Sequence, residues 1–171
     1  MEFLWSPWRN QYISSGPTEK PPGCVFCHFA APSTAEFDAA HYILHRGQHN
    51  FVILNLYPYT TAHLMVVPFT HCADLSALAK SISDEMMDLA KQAQQALGEL
   101  YHPDGYNLGM NLGSAAGAGV AAHLHLHLLP RWAGDANFMT TVGETRVLPE
   151  ALPTTYEKLK PYFAGRFSPP N

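Results

Sequence analysis

The chain has few charged residues, few cysteines and no long apolar segment. Only 14% of its 171 residues are charged, and ten Lys and Arg stand against fourteen Asp and Glu, which gives a net charge of −4. This acidic balance argues against a protein that binds nucleic acid through a basic surface. The longest apolar runs have only a few residues, whereas a membrane-spanning helix needs ~20, so such a helix is excluded. Three cysteines are too few, and odd in number, for a disulfide framework.

The length suits a single domain spanning residues 1–171. Residues 1–23, rich in Trp, Pro and Gly, form an irregular N-terminal arm, and residues 130–171 form a C-terminal extension. The first ten residues show no signal-peptide pattern, so a cytoplasmic protein with neither nucleic-acid nor membrane partners is expected. The five predicted strands are His41–Arg46, Phe51–Leu56, His63–Pro68, Tyr106–Leu112 and Ala121–Leu129.

One long amphipathic helix is predicted between the third and fourth strands. Its apolar stripe consists of Ile82, Met86, Leu89, Ala93, Leu97 and Leu100. Ser81 with Asp84 resembles a capping pair, and Pro103 ends the helix. Shorter helical segments are predicted over Asp74–Ala79 and near Thr155–Phe163, while residues 28–40 are expected to be a loop with one helical turn. The fold class is therefore α+β, one antiparallel five-stranded sheet with helices on one face.

The most specific feature is the alternating run His123-Leu124-His125-Leu126-His127-Leu128-Leu129. Side chains alternate between the faces of a strand, so three imidazoles about 6.6 Å apart share one face while the leucines face the core. Three interpretations compete: a solvated polar face, a metal site built from the three histidines, or a nucleophilic histidine between two that bind phosphate. The preceding small-residue loop, Gly113–Gly119, favours the third, because such a loop lets backbone amides approach an anion.

This His-apolar-His-apolar-His-apolar-apolar run resembles the signature of the histidine-triad (HIT) family of nucleotidyl hydrolases and transferases. Further segments resemble a bacterial branch that is similar to diadenosine polyphosphate hydrolases and phosphorylases. These segments are Leu4–Arg9, Cys24–Cys27, Asn55–Tyr59, His63–Pro68, Pro130–Trp132 and Gly134–Met139. The resemblance extends from about residue 4 to about residue 150 and implies a HIT-like fold whose sheets join across a homodimer.

The resemblance also implies a mechanism. His125 attacks an α-phosphorus and forms a nucleotidyl-histidine intermediate, while His127 binds phosphate oxygens. His63 supports the triad, in which His123 is the first histidine. Nucleotide-binding positions implied in the same way are Asn55 at the ribose, Asn111 at the phosphate, and Gly117 and Gly119 in the loop.

The chain departs from the family pattern at three positions. Gly119 and Val120 occupy positions where relatives carry Gln, Ser or Thr side chains that contact the leaving group. Neither water nor phosphate can therefore be assigned as the acceptor. Ala62 replaces the usual Gly before His63.

A second cluster indicates a metal site. Cys24 and Cys27 have the spacing of a zinc knuckle, although a redox disulfide or two buried free thiols would share that spacing. Similarity to zinc-bearing relatives, including the galactose-1-phosphate uridylyltransferase branch, implies that His71 and His123 complete a structural Zn²⁺ site. His28 is a competing ligand. No organic cofactor is expected.

The leading hypothesis is thus a nucleotidyl hydrolase or transferase that acts on a dinucleoside polyphosphate or a nucleoside phosphoramidate. Two alternatives belong to other classes. One is a nucleotide-binding regulatory module with weak or lost catalysis, which the missing leaving-group side chains suggest. The other is a metal-dependent hydrolase with the triad as ligands.

Overall fold

The computed structural model describes residues 23–31, 34–136, 140 and 148–166. Within them, five antiparallel strands form one sheet in the order β1-β2-β3-β5-β4. The strands are β1 Ile43–Arg46, β2 Asn50–Leu54, β3 Leu64–Pro68, β4 Gly105–Gly109 and β5 Leu126–Arg131. The predicted antiparallel five-stranded sheet is confirmed. Of the predicted N-terminal arm, residues 1–23, only the last residue, Gly23, lies within the described residues.

Four helices of the described chain pack on this sheet: α1 Val25–Ala30, α2 Ala35–Ala40, α3 Lys80–Tyr101 and α4 Leu152–Arg166. The two long helices, α3 and α4, bury their apolar side chains with those of one sheet face, including Leu64, Val66 and Leu126. On the opposite face, Phe26 and Phe29 of α1 pack against Phe51 and Ile53 in a second cluster. No helix among the described residues is long and apolar enough to span a membrane.

The last strand begins later than predicted. It begins at Leu126 rather than Ala121, so His123 and His125 precede it and only His127 of the three lies on it. The reason is that the backbone ahead of the strand bonds elsewhere: the Leu124 N–H donates to the Cys72 carbonyl at 2.7 Å and the His123 N–H to the Val120 carbonyl at 3.3 Å. The alternation of faces nevertheless holds, because Leu124, Leu126 and Leu128 are all buried in the core beside α3.

Two predictions about helices were wrong. Ser81 and Asp84 do not cap α3, which begins at Lys80 after Ala79 and has no side-chain cap; Asp84 instead pairs with the Lys80 ammonium at 2.5 Å. Residues 28–40 contain more helix than the single turn expected, since α1 and α2 together occupy most of 25–40. Both are only six residues long, too short to show an apolar period in the sequence.

Other helical boundaries agree more closely. The long helix ends at Tyr101, where His102 adopts a left-handed conformation (φ 46°) immediately before Pro103. The segment predicted over Asp74–Ala79 contains a 3₁₀ turn at Leu75–Ala77. The final helix, predicted near Thr155–Phe163, extends from Leu152 to Arg166.

A carboxylate on α3 holds the turn between β1 and β2. Glu85 accepts hydrogen bonds from the backbone N–H groups of Gln48 and His49 at 2.6 and 2.7 Å, and from Asn50 Nδ2 at 2.7 Å. A Cβ atom at Gly47 would lie 2.7 Å from a Glu85 carboxylate oxygen, so only glycine fits there without displacement. Helix α3 is therefore held to the β1–β2 edge of the sheet by polar contacts as well as by its apolar face.

Replacing this carboxylate should measurably destabilise the fold. Hydrogen bonds to charged groups contribute about 1.5–3 kcal/mol each, but they are not additive, so we expect Glu85→Ala to cost about 2 kcal/mol. That is about 4–8 °C in melting temperature for a domain of this size. Asp84→Ala, which removes only an exposed i,i+4 pair, is the control, with an expected cost of about 0.5 kcal/mol. Equal losses in thermal unfolding would contradict the assignment.

Candidate active site and metal cluster

The histidines of the signature lie on the sheet face opposite the leucines that alternate with them. His123, His125 and His127 are 0%, 6% and 8% exposed, so their ring nitrogens need partners inside the protein. The ring centroids of His125 and His127 are 4.7 Å apart. His63, at the start of β3, is 1% exposed and lies 5.1 Å from His127 by the same measure. The structure thus brings together the predicted His63, His125 and His127.

The hydrogen bonds of His63 determine which of its nitrogens carries the proton. The Tyr59 backbone N–H donates to His63 Nδ1 at 3.2 Å, and Nδ2 of Asn55 lies 3.2 Å from the same nitrogen. The Asn55 amide orientation is itself set, because its Oδ1 accepts from the Tyr57 N–H at 2.9 Å. A nitrogen that accepts cannot hold the proton of a neutral imidazole. The His63 proton is therefore on Nε2.

This assignment carries over to His127. His63 Nε2 lies 2.9 Å from His127 Nδ1, so the His63 N–H donates and His127 Nδ1 accepts. The His127 proton is then on Nε2, which is buried and has no hydrogen-bond partner among the described residues. Burial, with a smaller contribution from His125, lowers the pKa of His127 to about 4, so the ring is neutral at pH 7. A neutral N–H donor without a protein partner suits a phosphate oxygen.

His125 has the complementary proton arrangement. Its Nδ1 lies 2.9 Å from the His123 backbone carbonyl, which only accepts, so the proton is on Nδ1. The lone pair is consequently on Nε2. Burial lowers the pKa of His125, opposed by the hydrogen bond to His123, so the neutral and nucleophilic form is favoured. One histidine thus presents a lone pair and its neighbour an N–H.

Ala62 explains how the chain reaches His63 without the usual glycine. Its φ of 58° lies in the left-handed region, which favours glycine. Alanine adopts this conformation at a cost of roughly 1–2 kcal/mol. Its methyl group is buried in the core with α3, which offsets part of that cost.

The loop before the triad is open. Gly113 and Gly117 have φ values of 82° and 84°, and a Cβ atom at Gly119 would meet no heavy atom within 4 Å. The glycine at 119 is therefore not required by packing, which leaves room for a ligand. Asn111 is half-buried between the end of β4 and this loop. No structural contact ties Asn111 or Gly119 to a role, so their assignment stays a prediction.

The predicted metal ligands form one cluster. The ligand atoms of Cys24, Cys27, His71 and His123 all lie within 4.8 Å of one another. Cys24 Sγ is 3.3 Å from His123 Nδ1, and Cys27 Sγ is 3.1 Å from His71 Nδ1. A tetrahedral zinc ion, with bonds of ~2.3 Å to sulfur and ~2.0 Å to nitrogen, sets such atoms about 3.5 Å apart. The donor set and its spacing fit a zinc ion.

The position of the His123 proton suits a metal ligand of this cluster. His123 Nε2 lies 2.9 Å from the Pro68 carbonyl and so carries the proton, which leaves the Nδ1 lone pair toward the thiols. Burial and the neighbouring Cys24 raise the pKa of the Cys27 thiol, an effect that a bound cation would reverse. Both His123 nitrogens thus have partners other than the His125 and His127 rings. His28 is exposed and packs on Phe37 and His41, outside the cluster.

A cavity of about 780 Å³ is lined by Tyr59, whose ring also contacts His63, and not by His123, His125 or His127. Both cations among its described lining residues are already paired. Arg131 contacts Asp135 at 2.8 Å, and Lys158 pairs with Glu150. The cavity therefore presents no unpaired cation among its described lining residues to bind the phosphate groups of a polyphosphate. The histidine cluster is the better candidate site.

Two contacts of the site were not singled out from the sequence. Tyr59 stacks on His63 with ring centroids 4.9 Å apart, and Phe26 contacts the His125 ring at 5.0 Å. Both lie inside segments that carried the family resemblance. No periodicity or spacing assigns them a contact with a histidine.

Replacing His127 should change how stability depends on pH. The folded-state pKa of about 4 is below the usual 6.5, so between these values the unfolded chain binds a proton that the folded chain does not. Stability from this group is complete above pH 6.5 and is lost as pH falls toward 4, by about 1.4 kcal/mol per pH unit. In His127→Asn, where the amide oxygen can replace Nδ1 as acceptor, that loss should disappear. Urea unfolding at pH 7.5, 6 and 5 measures the difference, and parallel curves would contradict the low pKa.

The comparisons with known proteins agree with this geometry. The family model described as HIT domain matches residues 38–134. A protein named AP-4-A phosphorylase from Mycobacterium tuberculosis is 37% identical over 158 residues, which cover 91% of this chain and 80% of the relative. A Zn-bound histidine triad family protein from Mycobacterium smegmatis superposes with a TM-score of 0.65 at 29% identity, over 83% of this chain and 94% of that one. A HIT family protein from Bacillus anthracis superposes with a TM-score of 0.57 at 27% identity, over 67% and 77% of the two chains. The chain therefore belongs to the HIT domain family and is an enzyme of its nucleotide hydrolase and transferase class.

Proposed function

We propose that the protein transfers a nucleotidyl group from a dinucleoside polyphosphate to phosphate, through a covalent bond to His125. The observation that carries the proposal is the proton arrangement of the triad. His125 has a lone pair on Nε2, and the neighbouring His127 has an N–H without a partner among the described residues. The name of the M. tuberculosis relative, AP-4-A phosphorylase, supports diadenosine tetraphosphate as substrate and phosphate as acceptor.

The reaction proceeds in two displacements. First, the His125 Nε2 lone pair bonds to an α-phosphorus while the bond from that phosphorus to the bridging oxygen breaks, and ATP leaves with the electron pair. The imidazole that carries the nucleotidyl group on Nε2 becomes cationic, so the hydrogen bond from its Nδ1–H to the His123 carbonyl strengthens. A phosphate oxygen then attacks the same phosphorus, and His125 leaves as the neutral imidazole. The products are ATP and ADP.

The neighbouring groups stabilise charge during these steps. The His127 Nε2–H donates to a non-bridging phosphate oxygen, and His63 keeps that proton on Nε2 through the hydrogen-bond chain from Tyr59. Asn55 retains a second N–H for a ribose hydroxyl while its first faces His63. Gly117, Gly119 and Asn111 bound the open loop where the polyphosphate lies, and its backbone N–H groups are the donors there.

We also propose that the cluster of Cys24, Cys27, His71 and His123 holds a structural zinc ion. Four protein ligands leave no open coordination position for a water molecule, so the ion supplies binding energy to the fold. The Zn-bound HIT relative from M. smegmatis supports this assignment. His123 is therefore proposed as a ligand that also positions His125, rather than as a group that contacts phosphate.

A cytoplasmic homodimer is the proposed working form. β4 is an edge strand of the sheet, and no strand of the described part of the chain pairs with its other side. Asn107, Leu108 and Gly109 are exposed, and exposed strand edges pair readily with another chain. The family resemblance supports a second copy of this chain as that partner.

Product analysis tests the reaction. With diadenosine tetraphosphate and orthophosphate we expect ADP and ATP, and no turnover without phosphate. AMP and ATP in the absence of phosphate would mean that water is the acceptor. His125→Ala should lower turnover on the order of 10³-fold or more while nucleotide still binds, because only the covalent step is lost. Near-normal turnover by that variant would exclude the nucleophile, and no turnover by the wild type would favour a binding module.

Metal analysis tests the cluster. We expect about one zinc ion per chain, and a lower zinc content and melting temperature in Cys24→Ser, because one thiolate ligand is lost. Cys72→Ser is the matched control: Cys72 donates to the Asp74 carbonyl at 3.1 Å, outside the cluster, so zinc should be retained. Turnover that stopped as soon as chelator was added would instead indicate a catalytic ion.

A further inference from the structure

Helix α1 connects the metal cluster to the proposed nucleophile. Cys24 directly precedes the helix and Cys27 lies within it. Between them is Phe26, which is 5% exposed. The Phe26 ring lies 5.0 Å from the His125 ring and 5.4 Å from the His123 ring, measured between centroids. The segment that carries two of the four ligands therefore also contacts the ring that is to attack phosphorus.

His123 makes the second connection. Its Nδ1 faces Cys24 and Cys27, at 3.3 and 3.6 Å from their sulfur atoms. Its backbone carbonyl accepts the Nδ1–H of His125 at 2.9 Å. Any shift of His123 as a ligand would therefore move the atom that sets the proton position of His125.

We propose that the metal cluster positions the nucleophile through two contacts, the Phe26 ring against His125 and the His123 carbonyl on its Nδ1–H. In this proposal a divalent ion, zinc by its donor set, holds α1 against the sheet and so holds both contacts. Phe26 is a positioning residue and contacts no reacting atom. The inference rests on the proposed role of His125 as nucleophile.

The shortness of α1 gives this arrangement its physical reason. The helix has six residues and no side-chain N-cap, and a helix of that length is not stable by itself. Its other attachments include the buried side chains of Phe26 and Phe29, the contacts of His28 with Phe37 and His41, and a hydrogen bond from Arg46 to the Phe29 carbonyl at 2.8 Å. Ligation of Cys24 and Cys27 would add two strong attachments on either side of Phe26.

Orientation of the imidazole matters because attack needs its Nε2 lone pair directed at phosphorus. The hydrogen bond at Nδ1 fixes the position of one ring atom, but the rest of the ring can still rotate about that hydrogen bond. The Phe26 ring, 5.0 Å away and tilted by 46° to the imidazole, limits this rotation. Misplacement by an ångström can lower a rate on the order of a hundredfold.

A matched pair of variants tests the Phe26 contact. Phe26→Leu keeps an apolar side chain but removes the flat ring from His125, whereas Phe29→Leu makes the same change at a residue of the same helix that is 7% exposed and contacts His28 and His41 instead. We expect Phe26→Leu to lower kcat on the order of tenfold or more with KM nearly unchanged. Phe29→Leu should destabilise the protein by a similar amount and leave kcat within about twofold of the wild type.

Nitrogen NMR of the histidine rings gives a readout that does not depend on turnover. At constant pH, zinc-loaded wild-type protein should show His125 protonated on Nδ1 only. After zinc removal, and in Cys24→Ser, the signals of His125 should shift toward a mixture of the two tautomers, while those of His63, held by Tyr59 and Asn55, should not change. Phe26→Leu, which keeps its zinc and the contact with the His123 carbonyl, should keep the Nδ1 tautomer of His125.

Three results would overturn the proposal. Equal losses of kcat in the two leucine variants would mean that Phe26 acts only through packing. A raised KM with unchanged kcat in Phe26→Leu would mean that Phe26 contacts the nucleotide. An unchanged His125 tautomer after zinc removal would separate the cluster from the nucleophile. Failure of the proposed function can be distinguished from these results. In that case neither the wild type nor any variant would process the dinucleotide, while the NMR comparison would still show whether zinc removal changes the His125 tautomer.

Discussion

A buried neutral imidazole has one proton for two nitrogens, and this constraint organises the whole site. Each of the four histidines must find an acceptor for its N–H and a donor or cation for its lone pair. Backbone groups determine the outcome: Tyr59 N–H for His63, the His123 carbonyl for His125 and the Pro68 carbonyl for His123. The hydrogen bond from His63 to His127 Nδ1 places the His127 proton on Nε2. This N–H has no partner among the described residues. This donor is the group that we propose binds a phosphate oxygen.

The sheet makes this arrangement possible by separating apolar from polar chemistry. Leu124, Leu126 and Leu128 are buried in the core beside α3. Because side chains alternate along the chain, the imidazoles must lie on the opposite face of the sheet. The opposite face is closed by the short helix α1. Burial there lowers the pKa of both His125 and His127, which keeps one ring nucleophilic and the other a neutral donor. The fold thus stabilises the site by packing on one side and tunes its chemistry by desolvation on the other.

Much of the fold could be predicted, and the failures have local causes. The three-residue spacing of apolar side chains located α3 to within two residues, because its period is sustained over six turns. Helices α1 and α2 lacked such a signal, being less than two turns long. The start of β5 was misplaced because Leu124 bonds to Cys72, more than fifty residues away, which no local pattern encodes. The predicted cap by Ser81 and Asp84 was wrong, since the helix begins one residue earlier, at Lys80, and the Asp84 carboxylate pairs with the Lys80 ammonium.

The amino-acid sequence by itself determined which residues could do chemistry: alternation put the histidines on one face, and the Cys24–Cys27 spacing marked a ligand pair. It could also identify the family, since those signals are local and independent of loop geometry. Only the tertiary structure decided the direction of each hydrogen bond, and with it which histidine presents a lone pair and which presents an N–H. It also decided that His71 and His123 meet the two cysteines, and that Phe26 touches His125. These outcomes depend on contacts between distant segments, whose distances of a few ångströms are set by the packing of the sheet and not by any short stretch of chain.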